Sequence, residues 1–402
     1  MKLFEPATLG PCRLKNRLIR SATFEGMADH QGYPLPEYRL LYKTLASGGV
    51  GGIITGFAYI SSEGKAMQPG QVRIDRQEMV QYFLPVTNEV HKYDCKIFMQ
   101  LAHTGRQTRK KETGQDVWGV SNKKSLYFRG SPRELATEQV YALVKRFAEA
   151  AGYAKAAGFD GVQVHAAHGY LIHQFLLPSI NCRTDEFGID AKSRIGTEFL
   201  GLVIQEIRKT CGYDFALLVK VSGDDDYFTK FTSEQFGNLI RFLDTQKVDG
   251  LEISYGTMDH ALNIFRGEIP SKVLLRHNPV FKTNHGIRKI LHNSLIFCLM
   301  RVKLKPFSPT YNLEYAKIAK ALTTIPILSV GGFRKGVEMR ECLENGFADF
   351  ISLCRPFICE PNLAEKLKQD LNYSAQCINC NVCAIMCDSD QPTRCYQKYS
   401  NS

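Results

Sequence analysis

No apolar run in the 402 residues approaches the roughly 18 needed to cross a bilayer; the longest candidate, residues 295–300 with their neighbours, is far too short. The N-terminal MKLFEPATLG lacks the apolar centre of a secretory signal. These two absences exclude a helical membrane protein and set the expectation of a cytoplasmic chain with no membrane partner. Low-complexity tracts and internal repeats longer than a strand–helix unit are missing too, which excludes collagen, coiled coil and repeat arrays. The densest basic runs, Arg106–Lys111 and Arg301–Lys305, have no interleaved aromatics and share no periodic face. The excess of 51 basic over 40 acidic residues is therefore expected to be a solvated surface, not a nucleic-acid site.

What is there is ordinary globular composition, 44% hydrophobic and 23% charged, enough to bury a large core. Eight of the 13 cysteines are scattered, and five crowd between Cys377 and Cys395. A reduced chain with one local cysteine cluster fits this better than a disulfide framework.

Short β-rich runs alternate with amphipathic ones, the pattern of βα units around a parallel sheet. Eight strand-like runs can be counted: Arg17–Ala22, Gly51–Gly56, Lys96–Leu101, Gly161–His165, Ala216–Ser222, Gly250–Ser254, Ile325–Val330 and Phe350–Leu353. Helical runs include 77–92, 137–157, 193–210, 233–246, 314–322, 338–345 and 361–369. Gly48, Gly158, Gly346 and the pair Asp249-Gly250 stand where helices would stop before strands. Eight such units predict a closed (β/α)8 barrel over residues 1–371, followed by a cysteine-rich segment, 372–402. An open doubly wound sheet is the runner-up, but no glycine-rich turn follows Ala22. Two loops, Thr104–Arg133 and Gly256–Thr310, exceed the ordinary length; the second is expected to hold a helix near 287–300.

Barrel enzymes keep their chemistry at the C-terminal ends of the strands. Gly331 and Gly332 after the seventh strand, with Arg355 after the eighth, suit a phosphate through backbone N–H groups and a cation, although the glycine pair also reads as a plain βα turn. Gln100 can donate to and accept from the edge of a heterocycle, and Lys220 supplies a fixed positive charge. His165 and His168, three apart at a strand end, could both face one anion or carbonyl oxygen. Metal ligation is the alternative, but no third ligand stands at suitable spacing. Tyr170 could deliver a proton from the same side.

In this order these residues resemble the old yellow enzyme family of flavin oxidoreductases over roughly residues 2–371. The likeness rests on NRLIRSATFEG (16–26), MQLAHTGRQ (99–107), VQVHAAHGYLIHQFLLPSINCRTDEFG (162–188), LVKVSGDD (218–225), SVGGFR (329–334) and SLCRP (352–356). It implies a barrel with noncovalent FMN at its mouth and NADH or NADPH as electron donor. The substrate it implies is an activated alkene of enone or enoyl type. Carried over by motif, Gln100 meets the pyrimidine edge of the flavin and Lys220 lies near N1 and O2. Gly331, Gly332, Cys354 and Arg355 hold the phosphate, and Ala22, Thr23 and Phe57 touch the ring. His165 and His168 orient the substrate's oxygen, Tyr170 is similar to the proton donor, and Phe24 borders the substrate. Two departures stand out. Phe24 replaces a Thr or Cys that tunes the flavin, which implies a more apolar pocket; Lys220 replaces the commoner Arg, keeping the charge without the bidentate fork.

Cys377, Cys380 and Cys383 form C-x2-C-x2-C, a spacing that suits an iron–sulfur cluster or zinc. With Cys395 they resemble the [4Fe–4S] segment after the barrel in the 2,4-dienoyl-CoA reductase and trimethylamine dehydrogenase branch, with Cys387 as a competing fourth ligand. A segment without metal is a third reading. That branch usually runs on into FAD- and NAD(P)-binding domains, which these 402 residues do not include. The alternatives weighed are an amine dehydrogenase or demethylase, whose flavin-linking cysteine has no counterpart near Phe24; an RNA-directed barrel resembling dihydrouridine synthase; and a flavin-binding scaffold without turnover. A small-molecule substrate is the expected partner, and a homo-oligomer is left open.

Overall fold

The structure is a computed structural model that describes residues 2–281, 294 and 304–397. The helix expected near 287–300 lies outside the described residues. Eight strands close into one parallel barrel: β1 (Leu18–Arg20), β2 (Gly52–Tyr59), β3 (Lys96–Ala102), β4 (Gly161–Ala166), β5 (Ala216–Ser222), β6 (Gly250–Ser254), β7 (Ile327–Val330) and β8 (Phe350–Leu353). Each pairs with its sequence neighbour, and β8 pairs with β1 to complete the ring. Every residue of β4, β5 and β6 is buried, because helices cover one side and the barrel interior the other; such strands read as near-continuous apolar runs. The closed ring excludes the open sheet.

The crossover helices are α1 (Pro36–Ser47), α2 (Val80–His91), α3 (Thr137–Ala156), α4 (Glu198–Cys211), α5 (Ser233–Thr245), α6 (Leu313–Leu322), α7 (Gly336–Glu344) and α8 (Leu363–Gln369). On α3, Val140, Leu143, Val144, Phe147, Ala151 and Ala154 recur every three or four residues and face the core. A capping box starts α5: Thr232 Oγ1 accepts from Gln235 N at 3.2 Å and Gln235 Oε1 accepts from Thr232 N at 2.8 Å. The strand pattern alone did not reveal α1, which Pro36 opens at its first turn.

An antiparallel hairpin, Ala7–Leu9 with Cys12–Leu14, seals the bottom of the barrel. Leu9 and Leu14 pack with Ile19, Ile54, Phe98, Leu218, Leu328 and Phe350 in a core of their own. This corrects the reading of Gly250 as a helix stop. A β-carbon there would lie 2.8 Å from Leu9 Cδ1, so the glycine makes room for the plug.

The segment after α8 folds back over the opposite end. Ala375 N donates to Arg334 O, Glu268 N to Asn379 O, and Thr393 N to Glu25 O at 2.7 Å. A short helix, Val382–Met386, lies in this stretch.

Candidate functional site

The strand period of two aims alternate side chains into the barrel, so Gln163 and His165 on β4, Lys220 and Ser222 on β5, and Glu252 and Ser254 on β6 point the same way. Register stacks them: Gln100 lies beside Gln163, and Lys220 beside both His165 and Glu252. Above them opens a cavity of about 1530 Å³, counting the part open to solvent.

Ala22, Thr23, Phe24, Phe57, Gln100, His165, His168, Tyr170, Lys220, Gly331, Cys354 and Arg355 all line this cavity. Of the residues expected at its mouth, Gly332 alone stands back. A β-carbon there would lie 2.4 Å from Thr310 N, and its φ of 87° is left-handed, so the 308–312 loop presses on it from behind. The Arg355 guanidinium donates to Phe265 O, to Arg266 O at 3.0 Å and to Asn381 Oδ1 at 2.6 Å. Those bonds fix its plane and use three of its five N–H groups.

The two histidine rings meet edge to face, 5.0 Å between centroids, and Tyr170 lies 4.7 Å from His165. His165 Nδ1 accepts from Ala167 N at 3.3 Å, which leaves its Nε2 as the N–H. His168 Nε2 bonds Ser254 Oγ at 2.8 Å. His168 holds a φ of 61°, unusual for a residue with a β-carbon, and its N–H is tied to Ser222 Oγ at 3.2 Å. Burial pushes both imidazoles well below their ordinary range, with the Lys220 charge adding to the effect at His165 and the neighbouring His165 adding to it at His168. Both rings are thus neutral near pH 7. Burial drives the Tyr170 phenol the other way, up, with the nearby Cys387 and Asp388 adding to it, so it keeps its proton.

Lys220 Nζ pairs with Glu252 Oε2 at 3.0 Å and donates to Ser21 Oγ at 3.2 Å. Glu252, Gln163 and Ser254 carry contacts to expected site residues that the sequence reading did not assign. The signal available was parity: each lies two residues before or after a strand-end group.

The roof comes from the 258–281 segment and the C-terminal stretch, through Met258, Leu262, Phe265, Phe281, Ile385 and Asp388. A second cavity lies behind it, lined by Cys359, Cys377, Cys380, Cys383 and Cys395. Cys387 is turned away from it, donating to Cys383 O and touching Thr393 Oγ1, both at 3.4 Å, and borders the first cavity. Among the described residues no three His, Cys, Asp or Glu side chains gather as they would around a single metal ion.

A family model described as NADH:flavin oxidoreductase / NADH oxidase matches residues 2–278 and 280–374. The chain is 29% identical over 373 residues to a NADPH dehydrogenase of Bacillus subtilis, covering 92% of this chain and 95% of that one. It is 26% identical to a NADH oxidase of Thermoanaerobacter brockii and 28% to a cinnamate reductase of Clostridium sporogenes, covering 95% and 94% of this chain. Of those two proteins it spans about half the length, 53% and 54%. An old yellow enzyme homologue from Zymomonas mobilis shares the fold, with a TM-score of 0.73 at 23% identity over 94% of this chain and 96% of that one.

Proposed function

Because the chain belongs to the NADH:flavin oxidoreductase / NADH oxidase family, we propose that it is an FMN-dependent enzyme that draws electrons from NADH or NADPH and reduces an activated C=C bond of an enone- or enoyl-type substrate. The observation that carries this reading is the convergence of Gln100, Lys220, His165, His168 and Tyr170, from three different parts of the sequence, on one cavity.

The residues present fit FMN. Gln100 offers an amide to the edge of a planar ring, Lys220 a buried cation, and Arg355 two N–H groups that have no partner among the described residues, with the close-packed Gly331 backbone beside it. When bound there, FMN supplies the hydride transfer that no side chain can perform. The protein's part is to bind and polarise the alkene. The neutral His165 imidazole donates through Nε2–H to the carbonyl oxygen, and His168, held by Ser254, closes the same oxygen from the other side. Negative charge grows on that oxygen as the β-carbon is reduced, so donors fixed in advance stabilise the transition state. Tyr170, still protonated, gives its phenolic proton to the α-carbon. Phe24, Phe57 and the apolar roof keep water out; the ring centroids of Phe24 and Phe57 lie 5.6 Å apart.

Cys377, Cys380, Cys383 and Cys395 form the donor set of an iron–sulfur cluster in this reading. Thiolates ringing a cavity suit a body several ångströms across better than one zinc ion, and the turn of Cys387 toward the other cavity favours Cys395 over it as the fourth ligand. A barrel at 1–371 with a cysteine segment at 372–402 remains the domain division we favour.

The test is direct. Purified protein given FMN should turn yellow, release the flavin in acid, bleach with NADPH under argon and regain colour when an enone is added. Protein that stays colourless, or bleaches with no recovery on any alkene, overturns the proposal.

A further inference from the structure

Under the cavity floor lies a chain of buried polar groups that neither the mechanism nor the motifs call for. Gln100 Nε2 donates to Gln163 Oε1 at 2.7 Å, Gln163 Nε2 donates to Glu252 Oε2 at 3.1 Å, and the same Glu252 oxygen meets Lys220 Nζ at 3.0 Å. Glu252 is fully buried, and its Oε1 has no hydrogen-bond partner among the described residues. We infer that Glu252 is a positioning residue that sets both polar contacts of the flavin ring, turning the Gln100 amide through Gln163 and offsetting the Lys220 charge. The inference rests on the FMN reading above.

The direction of the relay follows from donor chemistry. A carboxylate can only accept, so the Gln163 end that faces it must be the NH2, and the Gln163 end that faces Gln100 must be the carbonyl. Gln100 must then turn its own NH2 down into the relay, which leaves its Oε1 as the end available to an N–H on the ring edge. One negative group two side chains away thus decides whether Gln100 accepts or donates. The same carboxylate reaches Lys220 at ion-pair distance in a site screened from water, where charges act strongly on one another. A reduced, anionic flavin beside Lys220 therefore feels a cation already partly neutralised.

The experiment is spectroelectrochemical titration of FMN-loaded protein, with FMN affinity measured by fluorescence quenching. Glu252→Gln keeps the shape and removes the charge. It should favour the reduced flavin at least tenfold, a rise of about 30 mV for a two-electron couple. Lys220→Gln should move the potential down by a similar factor, and the double variant Lys220→Gln, Glu252→Gln should return to within about threefold of the parent. Gln163→Leu should weaken FMN binding about tenfold while moving the potential by less than threefold, a separation that general loosening of the barrel would not give. An unchanged or lowered potential in Glu252→Gln overturns the inference. So does a double variant as low as Lys220→Gln alone, and that charge-balanced pair decides the matter if Glu252→Gln does not fold. Failure of the parent chain to take up FMN shows before any variant is compared, and removes the FMN reading itself.

Discussion

Tyr170 and the histidine pair carry different parts of the proposed alkene step, proton delivery and carbonyl binding, and substitutions should separate them. Tyr170→Phe should slow the alkene half-reaction about 10²- to 10⁴-fold, the usual worth of a placed proton donor, and leave reduction by NADPH within twofold; stopped-flow traces of each half-reaction check this. His165→Ala with His168→Ala should weaken binding of a phenol at least tenfold with flavin retained, and because both rings are already neutral, parent affinity should not change between pH 6 and 8 on their account. Asp225 responds to pH in another way. Burial raises its carboxyl to about 6, against the pull of backbone N–H groups such as that of Tyr227, which donates to Oδ1 at 2.9 Å. A raised carboxyl favours the folded state while protonated, so its contribution is full below the ordinary value near 4 and is lost as pH climbs through 6. With a shift of about two units that loss is about 3 kcal/mol. In thermal melts Asp225→Asn should remove that part of the decline between pH 4 and 6; an unaltered slope would assign the decline to other groups.

Among the elements, the β7 turn and the hairpin plug are the sharpest tests. Gly332→Ala puts a β-carbon against Thr310 N at a left-handed φ, so the turn must shift, and FMN affinity should fall at least tenfold in a fluorescence titration. Leu9→Ala should cost about 2–5 kcal/mol in denaturant unfolding, the range for emptying a well-packed leucine site, with the flavin environment unchanged at the far end of the barrel. Seven of the crossover helices and all eight strands were legible in the sequence because buried parallel strands read as short, near-continuous apolar runs and the helices keep a period near 3.6. Strand ends moved by a few residues: the first shrank to Leu18–Arg20 and the second grew to Tyr59. The hairpin was not legible, since three-residue strands carry no period. Site residues with chemical side chains at strand ends could be read in order. Glu252 could not be assigned a role, because its meaning lies in partners from β3, β4 and β5 that only barrel closure brings near.

At the scale of the whole molecule, the C-terminal stretch is at once the wall of the cysteine cavity and part of the roof over the barrel. Thr393 ties it to Glu25 beyond β1, and Gln68 Nε2 holds Asp388 at 2.8 Å. Cys380→Ser should therefore have two effects if a cluster forms: loss of broad visible absorbance from the cluster, and a raised KM for the alkene with the NADPH half-reaction little altered. Loss of the absorbance with an unchanged KM would mean that the roof holds without the metal.

Arg355, Ile358 and Cys383 border both cavities. A partition one side chain thick makes neighbours of two chambers that each look self-contained. The cysteine segment is for that reason a poor candidate for transplantation: moved onto another barrel, it would arrive without the guanidinium whose plane its Asn381 helps to set, and the donor barrel would keep that guanidinium held only by the carbonyls of Phe265 and Arg266.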